Sequence, residues 1–193
     1  MAFKISFQPD PPQMESLPVA KITSYPLEQR DYRPYAQNRI CLTPKGLVLQ
    51  MWAFEVSPQE DSALRGVFGL FPQESEVYLS VTALSTEKVQ VELLRDGSFF
   101  PLPAEVREAF SVHPFGGEDL QGVYWGNTIT ITKELIQGVY GGFSFEAGNQ
   151  FKGNFYKLSQ QPPSPHYGCF YPADFAGNPY GPASMGDFLV VDY

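Results

Sequence analysis

At 193 residues the chain has the length of one generous domain, and such a chain hides roughly 70% of its unfolded surface without help from metal or disulfide. A net charge of −8 with scattered basic residues repels phosphate backbones and anionic headgroups, which excludes nucleic acid and an anionic membrane surface as partners. Aromatic residues at 15%, charged residues at 18%, 18 prolines and 17 glycines describe a β-rich chain broken too often for long helices, with no apolar run near the roughly 20 residues of a membrane span.

Residues 1–17 alternate Phe3, Ile5 and Phe7 with polar residues and then turn proline-rich, so they read as a loosely ordered arm. They lack the apolar block of a signal peptide, and the chain is expected in the cytoplasm. Residues 19–27 form an opening strand ended by Pro26. Residues 38–42 and 47–56 pair as a hairpin around Thr43-Pro44-Lys45-Gly46, and the second is apolar on both alternating faces, with Trp52 in the core. A meander follows over residues 64–71, 76–84 and 88–94, and in its middle strand Val77, Leu79 and Val81 make a dry face against Tyr78, Ser80 and Thr82.

Residues 95–98 are a turn, and a short helical turn fits within residues 101–110. The Thr/Ile alternation of residues 123–132 is the cleanest strand signal, after which Thr132 caps a helical turn that Gly138 closes. Extended structure resumes over 142–146, 151–158 and 187–191. Short strands at this spacing predict an all-β fold, an antiparallel β-sandwich of immunoglobulin or jelly-roll type with one or two short helical turns, as a single domain over 1–193; a closed barrel fits the spacing nearly as well.

The C-terminal third carries Phe151-Lys152-Gly153-Asn154-Phe155-Tyr156-Lys157, then Pro165-His166-Tyr167-Gly168-Cys169-Phe170-Tyr171-Pro172, then Tyr180-Gly181-Pro182 and Met185-Gly186-Asp187-Phe188-Leu189. With Met51-Trp52-Ala53-Phe54-Glu55 and Tyr124-Trp125-Gly126 upstream, this pattern resembles the domains of carbohydrate-binding module family 9, over residues 34–193. The resemblance implies a DOMON-type, immunoglobulin-like sandwich that binds carbohydrate, in which the family's sugar binders clamp their ligand between two tryptophans. This sequence departs from the family by having Phe170 and Tyr171 where a Trp precedes the proline, Tyr180-Gly181 for Phe-His, and Met185-Gly186 for Phe-Gly.

Sugar recognition needs flat apolar faces for the C–H side of a pyranose and nearby amides or carboxylates for its hydroxyls. Trp125, Tyr167, Phe170 and Tyr171 are the candidate ligand-facing rings, and Asn154, His166 and Asn178 the candidate hydroxyl partners. Each has a competing structural role: Trp125 packing at a strand start, Phe170 plugging the core, Asn154 tying a loop to the sheet, His166 anchoring the proline-rich loop.

For chemistry the chain offers His113 and His166, two cysteines (Cys41 and Cys169) outside any metal or nucleophile motif, and carboxylates such as Glu55 and Glu146 that could be nominated as a pair. Glu60-Asp61 and Glu118-Asp119 are acidic doublets that could contribute to a structural calcium site; no other cofactor is indicated. The expectation is a non-catalytic carbohydrate-binding domain. The alternatives are a protein-interaction or scaffold domain that has lost its sugar site and a glycoside hydrolase.

Overall fold

A computed structural model of the chain describes residues 1–71 and 76–192. Alternation along one strand shows how its layers form. In β4 (Gly46–Phe54) the odd residues Leu47, Leu49, Met51 and Ala53 point to the main core. The even ones point away, where Val48 joins Cys41, Met14 and Leu17 in a small satellite cluster. Trp52, expected in the core, is therefore on the outer face, half-buried beneath the Arg39 guanidinium at 5.0 Å.

β4 pairs with β3 (Ala36–Thr43) through the two-residue turn at Pro44-Lys45, and on its other side with β10 (Gly122–Thr132). β2 (Ala20–Ile22) and β9 (Phe110–Asp119) are the edges of this five-stranded sheet, ordered β2-β3-β4-β10-β9.

The second sheet is ordered β1-β13-β11-β5-β6-β7-β8. Its strands are β1 (Phe3–Ser6), β5 (Ala63–Gly69), β6 (Tyr78–Leu84), β7 (Val89–Arg95), β8 (Ser98–Pro101), β11 (Gln150–Ser159) and β13 (Gly186–Val191). β12 (His166–Cys169) extends it by pairing the far end of β11, beyond the stretch that pairs β13. Leu64, Phe68, Leu79, Val81, Phe151 and Phe155 face the inner side of the first sheet, so the expected sandwich, and not a closed barrel, encloses the core.

The outer face of the second sheet is also covered. Val67, Leu94 and Tyr156 on that face join Cys169 and Met185 in a second cluster beneath the segment 170–185. This is why Ser80 and Thr82, on the expected wetter face of β6, are buried.

Three further expectations need correction, and one strand went unread. The N-terminal arm is not loose: β1 pairs in parallel with β13, Ile5 is 1% exposed, and Met14 and Leu17 are buried. The helix α1 (Lys133–Tyr140) is capped by Thr132 as expected but closes at Gly141, whose φ of 76° only glycine adopts without strain. Gly138 lies inside it, where a Cβ would come 2.7 Å from Val106. Residues 142–146 form no strand, because Phe143 and Phe145 pack against one another and Phe145 against Phe71 and Phe151. β9, unread in the sequence, contains Pro114, which is tolerated because the strand is an edge.

Candidate functional site

The segment 170–185 is held to the sheet by one amide. Asn154 lies on the outward phase of β11 with no exposure; its Nδ2 donates to the carbonyls of Tyr171 (2.9 Å) and Ser184 (2.8 Å), and its Oδ1 accepts from the Tyr171 (2.9 Å) and Phe155 (2.8 Å) amides. Both ends of the segment are thereby fixed, and Asn154 has no capacity left for a ligand. Tyr171 accepts from the Phe3 amide (3.0 Å) and donates to the Asp187 carbonyl (2.8 Å), while Phe170 packs edge-on against Phe3 at 5.5 Å. These two half-buried rings clamp the N-terminal strand. Asn178 is exposed and accepts from the Tyr180 amide (3.1 Å), which sets the start of the following turn.

Between this segment and the outer sheet face lies a groove of about 450 Å³, walled by Tyr167, Phe175 and Tyr180 and floored by Arg65, Gln90 and Gln160. Arg65 is rigid there. Its Nε donates to Thr82 Oγ1 (2.8 Å), its Nη1 to the Tyr180 hydroxyl (2.5 Å), and its guanidinium stacks 4.8 Å from Phe99 and 5.2 Å from Tyr180. Among the described residues it has no carboxylate partner. Asp61, at the groove's end, accepts from Ser159 (2.6 Å) and from the Gln160 (2.7 Å) and Gln161 (3.1 Å) amides. Partial burial raises its pKa, but these hydrogen bonds outweigh it and hold the carboxyl below its ordinary value.

His166 belongs to a different, buried constellation at one end of the sandwich. Lys157 Nζ, wholly buried, donates to Ser62 Oγ (2.6 Å), His166 Nε2 (2.7 Å) and Glu55 Oε2 (3.2 Å), so all three of its protons have acceptors. Glu55 Oε2 also accepts from Ser62 Oγ (2.8 Å) and Trp125 Nε1 (2.9 Å), and Oε1 from the Tyr32 hydroxyl (3.4 Å). The Ser164 carbonyl at 2.8 Å from Nδ1 assigns the proton of a neutral His166 to Nδ1 and leaves Nε2 as the acceptor. Burial depresses the lysine pKa to about 8, against the pull of Glu55. Burial and the neighbouring Lys157 charge depress His166 as well. Ser62 beside Lys157 has the makings of an activated nucleophile, yet both are sealed from solvent.

The seven residues singled out in the sequence therefore do not converge. Tyr167 lines the Arg65 groove; Asn154, Phe170, Tyr171 and Asn178 hold its walls and the N-terminal strand in place; His166 and the indole N–H of Trp125 serve the buried cluster. The free edge of Trp125 faces a separate opening of about 300 Å³ between the sheets. Glu146 is exposed on another loop, away from the buried Glu55, so the nominated carboxylate pair is not formed. Among the described residues no three His, Cys, Asp or Glu side chains gather as metal ligands, and neither acidic doublet finds a third carboxylate. Cys41 and Cys169 are separate buried thiols.

Arg65 and Phe175 escape the sequence reading and Tyr180 enters it only as a departure from the family pattern, although a lone arginine inside the apolar run 63–70 is a usable signal.

No protein-family model matches the sequence, and no curated protein matches it significantly. Solved structures do. A Bacteroides uniformis protein provisionally described as carbohydrate-binding superposes with a TM-score of 0.75 at 16% identity, covering 98% of this chain and all of that one. A family 9 carbohydrate-binding module of Caldicellulosiruptor kristjanssonii, in complex with cellotriose, gives 0.63 at 8% identity over 100% of this chain and 95% of its own. The glucose complex of a family 9 module from the same organism gives 0.64 at 9% identity over 98% and 96%. The whole described sandwich, from the N-terminal strand to β13, thus has the fold of the family 9 carbohydrate-binding modules.

Proposed function

We propose that the chain binds a carbohydrate in the Arg65 groove and does not act on it chemically. The observation that carries this reading is Arg65 itself: a half-buried guanidinium, immobilised by Thr82 and Tyr180, without a carboxylate partner among the described residues, beside three aromatic side chains. A guanidinium with spare donors is matched by sugar oxygens, and rings beside it cover the apolar face of a pyranose. Gln90 and Gln160 add amides on the groove floor. The structural neighbours crystallised with glucose and cellotriose support the same ligand class. Binding without chemistry is supported by the sealing of Glu55, Ser62, Lys157 and His166 inside the fold.

Calorimetric titration with glucose, cellotriose and glucuronate tests the reading. At least one of them binds, and Arg65→Ala weakens it about 10- to 100-fold, the loss of a hydrogen bond to a charged group. Tyr180→Ala weakens it too, by removing both a wall and the brace on Arg65. No heat from any of the three, affinity unchanged in Arg65→Ala, or turnover of cellotriose to shorter sugars would overturn it.

A further inference from the structure

The strand β10 presents Trp125, Asn127, Ile129 and Ile131 to the inside of the sandwich, alternate residues on one face. Asn127 is the polar exception. It is 1% exposed, and its Oδ1 has no hydrogen-bond partner among the described residues. Leaving such an oxygen unpaired in a protein interior costs about 1–3 kcal/mol, so a polar side chain is kept on this dry face against its own cost.

Open space lies beside this residue. Asn127 and Trp125 line the opening of about 300 Å³ between the sheets, whose far wall is Ser85 and Glu87 of the β6–β7 turn. The edge strand leaves it open: the cross-strand neighbour of Trp125 is Gly116, and a Cβ built there meets nothing nearer than the Tyr124 carbonyl at 3.1 Å and Trp125 Cα at 3.8 Å. The indole cannot swing to fill the gap, because its Nε1 is bonded to Glu55.

We infer that this opening is a second ligand site, distinct from the Arg65 groove, which takes one monosaccharide and favours an amino sugar over a neutral one. Its volume is at the small end of ligand sites, the size for a single ring. Its lining brings the Glu87 side chain and Ser85 Oγ, whose own proton goes to the Gln59 carbonyl at 2.8 Å, beside Asn127. Acceptors select a ligand rich in donors, and a carboxylate at the mouth selects an ammonium and rejects a uronate. The Trp125 ring covers the C–H face of the sugar and attracts the ammonium charge. The two grooves thus differ in sign, with Arg65 in one and Glu87 in the other, and they share Leu84 as a wall.

Fluorescence reads the site directly, since the chain has only Trp52 and Trp125 and Trp52→Phe leaves Trp125 alone. Titration of that variant with glucosamine changes Trp125 emission saturably. Glucose binds about three- to fivefold more weakly, the difference an exposed ion pair makes, and glucuronate gives no change. Glu87→Gln brings glucosamine to the level of glucose, and Asn127→Leu abolishes the response. Gly116→Val, which fills the opening from the edge strand without touching Asn127, abolishes it as well and serves if the core substitution fails to fold. Arg65→Ala leaves the response intact, so this site and the Arg65 groove stand or fall separately. Emission unchanged at saturating glucosamine, with only water at Asn127, would overturn the inference, as would a response that survives Gly116→Val.

Discussion

Lys157 meets Ser62, His166 and Glu55 with its three protons, and its position makes the stability of the fold depend on pH. Burial lowers its pKa from 10.5 to about 8, so between those values the unfolded chain holds a proton that the folded chain has lost. Stability rises with pH wherever the unfolded state binds more protons, so it rises through that window. His166, depressed below 6.5 by burial and by Lys157, acts in the same direction on the acid side: as pH falls below 6.5 the unfolded imidazole gains a proton that the folded one refuses. Glu55, Asp61, Tyr32 and Tyr25 face this cluster, and the two tyrosines, raised chiefly by burial, reverse the trend above their ordinary value of 10. The urea midpoint should therefore fall from about pH 7 to about pH 5 and climb from about pH 8 to about pH 9.5. His166→Gln, which cannot titrate, should flatten the acid limb. A midpoint that fell between about pH 8 and pH 9.5 would contradict a Lys157 that burial strips of its proton in the folded chain.

At the scale of elements, α1 shows propensity and packing in opposition. Gly138 stands in the helix interior, where alanine is normally better by about 1 kcal/mol, yet a Cβ there would lie 2.7 Å from Val106 Cγ1. Gly138→Ala should therefore destabilise the protein by about 1–3 kcal/mol, the range for overpacking. In a Val106→Ala background the same change should be neutral or stabilising, and a urea double-mutant cycle measures the reversal.

The same opposition explains which elements can be read from sequence. β10 is legible because Thr and Ile alternate along it, and Thr132 because its hydroxyl can do little else before a helix than cap it. Gly138 reads as a terminator because its actual constraint, Val106, belongs to a separate helical turn at Ala104–Val106. β9, with Pro114, Gly116 and Gly117, has almost no intrinsic strand signal and exists because β10 offers it a ladder. The site divides in the same way. Tyr167 and Trp125 are visible as aromatics near glycines and prolines, whereas the groove depends on Arg65 meeting Tyr180 across 115 positions. Asn127 was visible in phase with Ile129 and Ile131, a polar residue on a dry face, though nothing local says that its Oδ1 goes unpaired.

For the molecule as a whole, the N-terminal strand is a staple across both layers. β1 supplies the parallel pair with β13, Ile5 packs into the main core, and Phe3 touches Phe170 at 5.5 Å and Phe188 at 5.6 Å. Immediately after it, the Gln8 amide donates 2.8 Å to the Leu42 carbonyl in the other sheet, so a stretch of a few residues bonds to both. Removing residues 1–8 uncovers the β13 edge, takes two partners, the Phe3 amide and the Met1 carbonyl, from the Tyr171 hydroxyl, and leaves a void at Ile5. Burying an aliphatic side chain is worth about 1.5–3 kcal/mol, and the half-buried Phe3 adds to it, so the truncated chain should lose about 3–5 kcal/mol. Against a total of about 5–15 kcal/mol the sandwich should still fold. Its melting point should drop by several degrees, with faster hydrogen exchange at the amides of β13 while those of β4 and β10 keep their protection. An unchanged melting point would mean that β13 needs no cover and that the strand merely decorates the edge. Loss of all protection would mean that the staple holds the two layers together. The intermediate outcome follows from the contacts, because β3, β4 and β10 bury their inner faces against β5, β6 and β11 without touching residues 3–6 for most of their length.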